Sequence, residues 1–436
     1  MAAARRLMEQ GKRDQKEPPG EASPRSESGE PPGTNLATLK RRFFENVSDR
    51  DWNDWRWQLQ NRITTVEQLA SFLSLSPRER AQLNVVTKKY PLSVTPYYLS
   101  LINPDDPDDP IRKQAIPSFL EVAFGSIGME DPLAEKRDSV VPGLVHRYPD
   151  RVLMVLTDLC PVLCRHCTRK REWQHGGWVR TAAEVELMLR YIRDNEVVRD
   201  VIISGGDCLT LSTRRLEEVI AGLSQIPHVE IIRIGTRYPV VLPQRIDDEL
   251  CSMLSRHGPI WLNTHFNHPN EITADAARAC ERLLRAGVPV NNQSVLLRGI
   301  NDTVETQKQL CQGLLRIKVR PYYLFQCDEV QGTEHLRTPI ETGIKIIEGM
   351  RGHTTGLAVP TFVVDLPQGG GKVPLQPNYV LSQTEDAWVL RNYEGHIFTC
   401  RNPHPCLNGK ADHRKRQAGR GNGSRSAEQL QLVRPQ

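Results

Sequence analysis

Three cysteines stand within eight residues in Cys160-Pro-Val-Leu-Cys164-Arg-His-Cys167. Thiolates are the usual ligands of iron–sulfur clusters, and a cubane held by three of them keeps one iron free of protein ligands and open to chemistry. The alternative is a structural zinc, which takes four ligands and favours paired C-x2-C spacings. Here the neighbouring fourth donor is His166, wedged between two of the thiols. Directly upstream, the apolar run from Arg151 to Thr157 reads as a buried strand, so the thiols occupy a loop at a strand's C-terminal end.

Two further groups have types and spacings suited to ligands. In Ser204-Gly-Gly-Asp207, Gly205 and Gly206 remove side chains where backbone must approach something closely. Asp207 can accept from an ammonium or, more plainly, cap the following turn. Lys372 follows three glycines from Gly369. A phosphate-binding P-loop requires G-x4-G-K-[ST], but Leu366 and Val373 occupy its glycine and hydroxyl positions, so that reading fails. A mobile lysine in a glycine-rich loop suits an imine to a carbonyl cofactor such as pyridoxal phosphate (PLP); the alternative is an ordinary exposed lysine. Arg147, Tyr148 and Arg151, just before the first strand, suit a phosphate.

The elements that must position these groups begin with the bulk of the chain. Its 436 residues, 39% hydrophobic, suffice for one large core plus extensions. No apolar run reaches the roughly 18 residues of a membrane span, and the start, Met-Ala-Ala-Ala-Arg-Arg, lacks a signal h-region. With ten cysteines, three of them bunched, this predicts a cytoplasmic protein in a reducing compartment, with no membrane partner. The net charge of +5 is mild, and much of the excess lies between Lys410 and Arg425, where Gly/Ser spacers favour a solvated tail over a nucleic-acid contact.

Five segments follow. Residues 1–35 are expected to be disordered. Residues 36–140 form a helical extension, with Trp52, Trp55 and Trp57 as core anchors and Ile63, Val66, Leu69, Phe72 and Leu73 at helical spacing. Residues 141–340 alternate strand and helix patterns, 341–408 carry Lys372, and 409–436 form a disordered basic tail. The predicted strands are Val152 to Leu156, Val201 to Ser204, Ile231 to Ile234, Ile260 to Asn263, Val288 to Gln293 and Tyr322 to Gln326. Helices between them argue for a parallel sheet, here an incomplete (β/α)6 barrel. In such barrels the site is built at the C-terminal strand ends, so the cysteine loop, Gly205 to Asp207, Arg237, His265, Ser294 and Asp328 are expected to share one mouth. A seventh apolar run, Ala358 to Val364, ends in Asp365.

The C-x3-C-x2-C spacing resembles that of the radical S-adenosylmethionine (SAM) superfamily, in which SAM chelates the open iron and one electron cleaves it to a 5'-deoxyadenosyl radical. Six segments together resemble the lysine 2,3-aminomutase family: His146 to Arg151, Cys164 to Arg169, Arg233 to Arg245, Trp261 to Glu271, Asn292 to Arg298, and Pro360 to Asp365 with the glycines before Lys372. The resemblance runs from about Leu36 to about Phe398. It implies an α/β fold, an incomplete (β/α)6 radical SAM barrel with an N-terminal helical extension and a C-terminal PLP-lysine segment.

The implied activity is that of an isomerase moving the α-amino group of L-lysine to the β carbon. The implied roles are specific. Cys160, Cys164 and Cys167 hold a 4Fe-4S cluster, and Gly205, Gly206 and Asp207 lie in the SAM-binding motif, with Gln293 as a further cofactor contact. Lys372 forms the imine to PLP, whose phosphate is held by Arg147, Tyr148 and Arg151. Arg169 pairs with the substrate carboxylate, and Asp328 and Asp365 hold its distal ammonium. An electron donor such as flavodoxin or ferredoxin and a homo-oligomeric state are expected. L-Arginine is the rival substrate, since two carboxylates also hold a guanidinium. A more remote rival, an iron–sulfur or zinc protein binding nucleic acid, has no use for Lys372 beside two carboxylates.

The chain departs from the family pattern at Cys208, often proline, and at Phe325, often tyrosine. Beyond the barrel only Cys400 and Cys406 appear, and Thr303 stands at a partner cysteine position. The family's structural zinc is therefore not expected, nor the tetramer it helps to build.

Overall fold

The computed structural model describes residues 43–174 and 176–403; the segments expected to be disordered at 1–35 and 409–436, and Cys406, lie outside them. A ten-stranded sheet runs in chain order through β1 (Ser139–Val141), β2 (Leu144–Tyr148), β3 (Arg151–Val155), β4 (Asp200–Ser204), β5 (Ile231–Gly235), β6 (Ile260–Thr264), β7 (Val290–Leu296), β8 (Arg320–Gln326), β9 (Thr361–Leu366) and β10 (Gly371–Pro374). Pairing is parallel from β3 to β9 and antiparallel at both ends, β1–β2–β3 and β9–β10. The sheet is not closed. Its two ends are linked instead by hydrogen bonds: the Lys372 N–H donates to Tyr148 Oη at 3.0 Å, and beside the strands Gln368 N–H donates to Pro132 O at 3.0 Å and Arg137 Nη1 to Gln368 O at 2.9 Å.

Side-chain alternation decides which residues see the interior. On β3, β4 and β5 the residues Val152, Met154, Val201, Ile203, Ile232 and Ile234 are at most 4% exposed. They belong to one core with Val185, Met188, Leu216 and Ile220 from the helices Ala182–Arg193 and Thr213–Ser224. The opposite face, with Leu153, Ile202 and Arg233, lines a cavity. Five crossover helices start at a capping side chain, Thr181, Ser212, Asp247, Thr273 and Thr303, each accepting from a backbone N–H in its first turn. Thr303 thus has a local task.

β1, β2 and β10 match none of the predicted strands, and two further elements differ from expectation. β7 begins and ends later than Val288 to Gln293, and Ser294 lies within it. The polar run Asn291 to Ser294 hid the strand's continuation, which is tolerated because Asn292 Nδ2 and Ser294 Oγ both donate to Phe266 O, at 3.0 and 2.9 Å. The seventh apolar run yields β9 only from Thr361; Ala358 ends the turn Gly356–Ala358. β9 pairs in parallel with β8, so the segment carrying Lys372 extends the same sheet.

The N-terminal extension packs Trp52 and Trp55 into the core and clamps the cysteine loop. Leu163 N–H donates to Ser93 O, Arg165 N–H to Gln114 O and Arg62 Nη1 to Cys160 O, all within 3.0 Å. A separate three-stranded antiparallel sheet, β11 (Val380–Gln383), β12 (Ala387–Arg391) and β13 (Ile397–Arg401), follows β10. Among the described residues no helix is long and apolar enough to cross a membrane.

Candidate active site

Cys160, Cys164 and Cys167 face one cavity of about 210 Å³, shared with Gly206, Asp207 and Arg237. Two of the three sulfurs already receive N–H groups: Cys164 from Arg237 Nη1 at 2.9 Å and Cys167 from the Arg169 backbone at 3.3 Å. Such donors suit thiolates that share an anionic cluster. Among the described residues no three His, Cys, Asp or Glu side chains are arranged to hold a single metal ion.

The loop is built on buried charge. Arg165 and Lys170 flank the thiols and both pair with Glu121, at 2.6 and 2.7 Å, with all three side chains at most 2% exposed. Burial works against the Glu121 anion, but its two cations outweigh that and hold its carboxyl below the usual range. Burial lowers Lys170 to about 8.

Gly205 and Gly206 are required by the fold itself. A Cβ on Gly205 would strike Thr157 O, and one on Gly206 would stand 2.5 Å from Leu159 O, because the strand end beneath the cysteine loop presses on both. Asp207 is occupied too: it accepts from Leu209 N–H, from Thr236 Oγ1 at 2.7 Å and from Arg237 N–H at 2.7 Å. It caps the turn Cys208–Thr210, and burial lifts its carboxyl to about 6.

A second cavity, of about 550 Å³, is lined by Arg147, Tyr148, Arg151, Gln293, Asp365 and Lys372; Arg169 lines both cavities. The cysteine loop, Gly206, Asp207, Arg237 and His265 share the smaller cavity at the strands' C-terminal ends. Arg151, by contrast, opens β3, roughly 13 Å of strand away from the cysteine end, so the phosphate-binding candidates lie further along the inner face of the sheet. Lys372 is held in β10 directly opposite Asp365 in β9, not in a free loop. Its Nζ lies 2.8 Å from both Asp365 oxygens and 4.2 Å above the Phe325 ring. Asp328 stands in the field of this pair; burial first, then the Asp365 charge, pushes its carboxyl up to about 7.

Arg169 is not free. Its Nε and Nη2 grip Glu135, the shortest contact 2.6 Å, and Nη1 donates to Gly205 O at 2.9 Å. Arg171 Nη2 joins Glu135 at 2.8 Å. Burial opposes the Glu135 charge, but the two arginines prevail and draw its carboxyl down to about 2.

Comparison with known proteins decides the family. The L-lysine 2,3-aminomutase of Clostridium subterminale is 56% identical over 367 residues, spanning 84% of this chain and 88% of that protein. The chain belongs to the lysine 2,3-aminomutase family. Its residues 154–309 match the radical SAM superfamily and 347–428 the lysine-2,3-aminomutase family model. The L-lysine 2,3-aminomutase of Acetoanaerobium sticklandii is 53% identical, spanning 84% of this chain and 88% of that one. A glutamate 2,3-aminomutase of Clostridioides difficile is 43% identical, spanning 81% and 83%. Membership in this radical SAM family implies SAM and a 4Fe-4S cluster, which the three thiols and their donors fit.

Within this aminomutase, Cys208 is fully buried, its sulfur against Ile203 O and Gly235 O. Phe325 gives Lys372 an aromatic face without a hydroxyl. Sequence reasoning singled out neither Glu135 nor Glu121, and it assigned no role to Arg233, which forms a two-point pair with Asp200 inside the large cavity. Glu135 sits in ordinary polar surroundings in the sequence, whereas Glu121 is a single charge inside the apolar run Phe119 to Phe124, itself a sign of a buried partner. For Arg233 a signal existed: a charged residue in the middle of an apolar strand is buried only with a partner.

Proposed function

We propose that this chain is an L-lysine 2,3-aminomutase, a PLP-dependent isomerase that shifts the α-amino group of L-lysine to the adjacent carbon. The observation that carries this reading is the polarity of the large cavity. Arg169 supplies a planar fork suited to an α-carboxylate, and Asp365 supplies acceptors for a cationic side chain, with Asp328 outside the lining but within reach of the Asp365 charge. When bound, the cluster and SAM supply a hydrogen-abstracting radical, and PLP supplies covalent carriage of the substrate nitrogen and a π system that spreads the unpaired electron.

The chain's own residues do the rest. Arg147, Tyr148 and Arg151 line the cavity where a phosphate would be held, and Lys372 would hold the cofactor through its side-chain nitrogen. Asp365 pairs with Lys372 here, and with Lys372 engaged elsewhere that carboxylate would be available to the side-chain ammonium of the substrate. Arg169 exchanges Glu135 for the substrate carboxylate, and a desolvated ammonium beside Asp365 and Asp328 favours the ionised form of Asp328, whose proton passes to solvent. Two carboxylates have the wrong charge for a glutamate side chain, which separates this pocket from that of a glutamate aminomutase. A cytoplasmic location, a flavodoxin- or ferredoxin-type donor and a homo-oligomer accord with this activity.

The test is an anaerobic assay of cluster-reconstituted protein with SAM, PLP and a strong reductant, offered L-lysine, L-arginine and L-glutamate separately. β-Lysine is the expected product. β-Arginine would keep the chemistry and change the substrate, and SAM cleavage without any β-amino acid would overturn the substrate assignment.

A further inference from the structure

One buried cation in the cysteine pocket has no part in holding the substrate. The Arg237 guanidinium is 7% exposed and fixed at every nitrogen: Nε donates to His265 O at 3.1 Å, and Nη2 to Gln114 Oε1, Glu271 Oε1 and Tyr98 Oη at 2.6, 2.7 and 3.1 Å. Nη1 donates to Cys164 Sγ at 2.9 Å. Its counter-ion is fixed as well. Glu271, 0% exposed, accepts from Tyr98 Oη at 2.6 Å and from the backbone N–H groups of Asn267 and His268 at 2.5 and 2.9 Å. A guanidinium does not lose its proton in a protein, so a permanent charge rests against one of the three thiols in a region of low dielectric. The donor at Cys167, by contrast, is a neutral backbone N–H.

We propose that Arg237 sets the reduction potential of the cluster held by Cys160, Cys164 and Cys167, through a charge-assisted N–H···S bond to Cys164, with Glu271 as the opposing charge that limits its effect. This rests on the three thiols being cluster ligands. Reduction adds one electron, taken from an external one-electron donor, to the irons and their sulfurs. A cation donating to a ligand sulfur stabilises the more negative, reduced form more than the oxidised one, and so raises the potential. Without Arg237 the cluster is harder to reduce. With Glu271 neutralised the cation acts unopposed, and the cluster is easier to reduce.

The experiment is an anaerobic redox titration of the reconstituted full chain, followed by the paramagnetic resonance of the reduced cluster, for wild type, Arg237→Gln and Glu271→Gln. At a fixed potential near the wild-type midpoint, the reduced-to-oxidised ratio is expected to fall about tenfold in Arg237→Gln, equivalent to about 59 mV for a one-electron couple. In Glu271→Gln it is expected to rise. Midpoints that stay put, or that move the same way in both variants as general loosening would cause, overturn the proposal. Should Arg237→Gln fail to retain iron and sulfide, Glu271→Gln decides alone: a rise sustains the proposal, and no change or a fall ends it. A wild-type chain that takes up no iron and sulfide removes the cluster itself, a failure visible before any titration.

Discussion

Lys372 and Asp365 face each other across the β9–β10 hairpin, with the ammonium 2.8 Å from both carboxylate oxygens. A side chain so held is engaged with its counter-ion, which makes its pairing with Asp365 the resting arrangement from which cofactor attachment starts. Lys372→Ala is expected to abolish rearrangement while leaving the iron and sulfide content unchanged. Borohydride treatment of the wild type with PLP is expected to leave a pyridoxyl mass on the peptide containing Lys372, and none in the variant. A variant rearranging lysine at the wild-type rate would remove Lys372 from its role.

The Glu135 carboxylate occupies the Arg169 fork as an internal competitor for the substrate's own carboxylate. Because the two arginines hold it ionised down to about pH 2, it competes across the whole working range. Glu135→Gln keeps the shape and removes the charge. The KM for L-lysine is expected to fall roughly tenfold, about 1.4 kcal/mol, with kcat little changed; steady-state kinetics would show it. A rise in KM would mean that Glu135 orients Arg169 rather than opposing the substrate.

Glu121 neutralises two buried cations beside the thiols. Glu121→Ala leaves Arg165 and Lys170 uncompensated, which costs about 3–5 kcal/mol when one partner of a buried pair is lost. Urea unfolding is expected to register that loss, together with a lower iron content after reconstitution. Unchanged stability would show that the contacts to Ser93 and Gln114 suffice to hold the loop.

Asp328 gives the protein a pH dependence of unusual sign. Its folded carboxyl keeps its proton up to about pH 7, whereas the unfolded one loses it near 4. The folded state therefore binds the extra proton between those values, and this contribution to stability is full below pH 4 and is lost as pH rises through 7. Asp328→Asn is expected to match the wild type in acid and to have the higher melting temperature above pH 7. The KM of the wild type for lysine should improve over the same rise, since the ammonium needs the anion. Melting curves whose difference is constant across pH would contradict this.

Local order in the chain was enough for the strands from β3 to β6, the helices between them and the cysteine loop after β3, because period-2 and helical apolar patterns and capping side chains act over a few residues. The thiol spacing suggested an iron–sulfur cluster with zinc as the alternative, and the expectation of SAM and PLP came from the resemblance to the aminomutase family. What the tertiary structure alone decided is who faces whom. Arg169 meets Glu135 across 34 residues, Arg237 meets Cys164 across 73, and Lys372 meets Tyr148 across 224. The last depends on the two ends of the sheet coming together and the others on loops of separate strands and the N-terminal extension meeting, and no local pattern encodes these. Hairpin pairing of β10 with β9 turned a lysine expected in a mobile loop into a strand residue facing its counter-ion. The backbone from Thr157 to Leu159 gave Gly205 and Gly206, expected to admit a ligand, a packing reason to be glycine as well. A sequence states which charges exist; burial forces each to find a partner, and only the folded chain says which one.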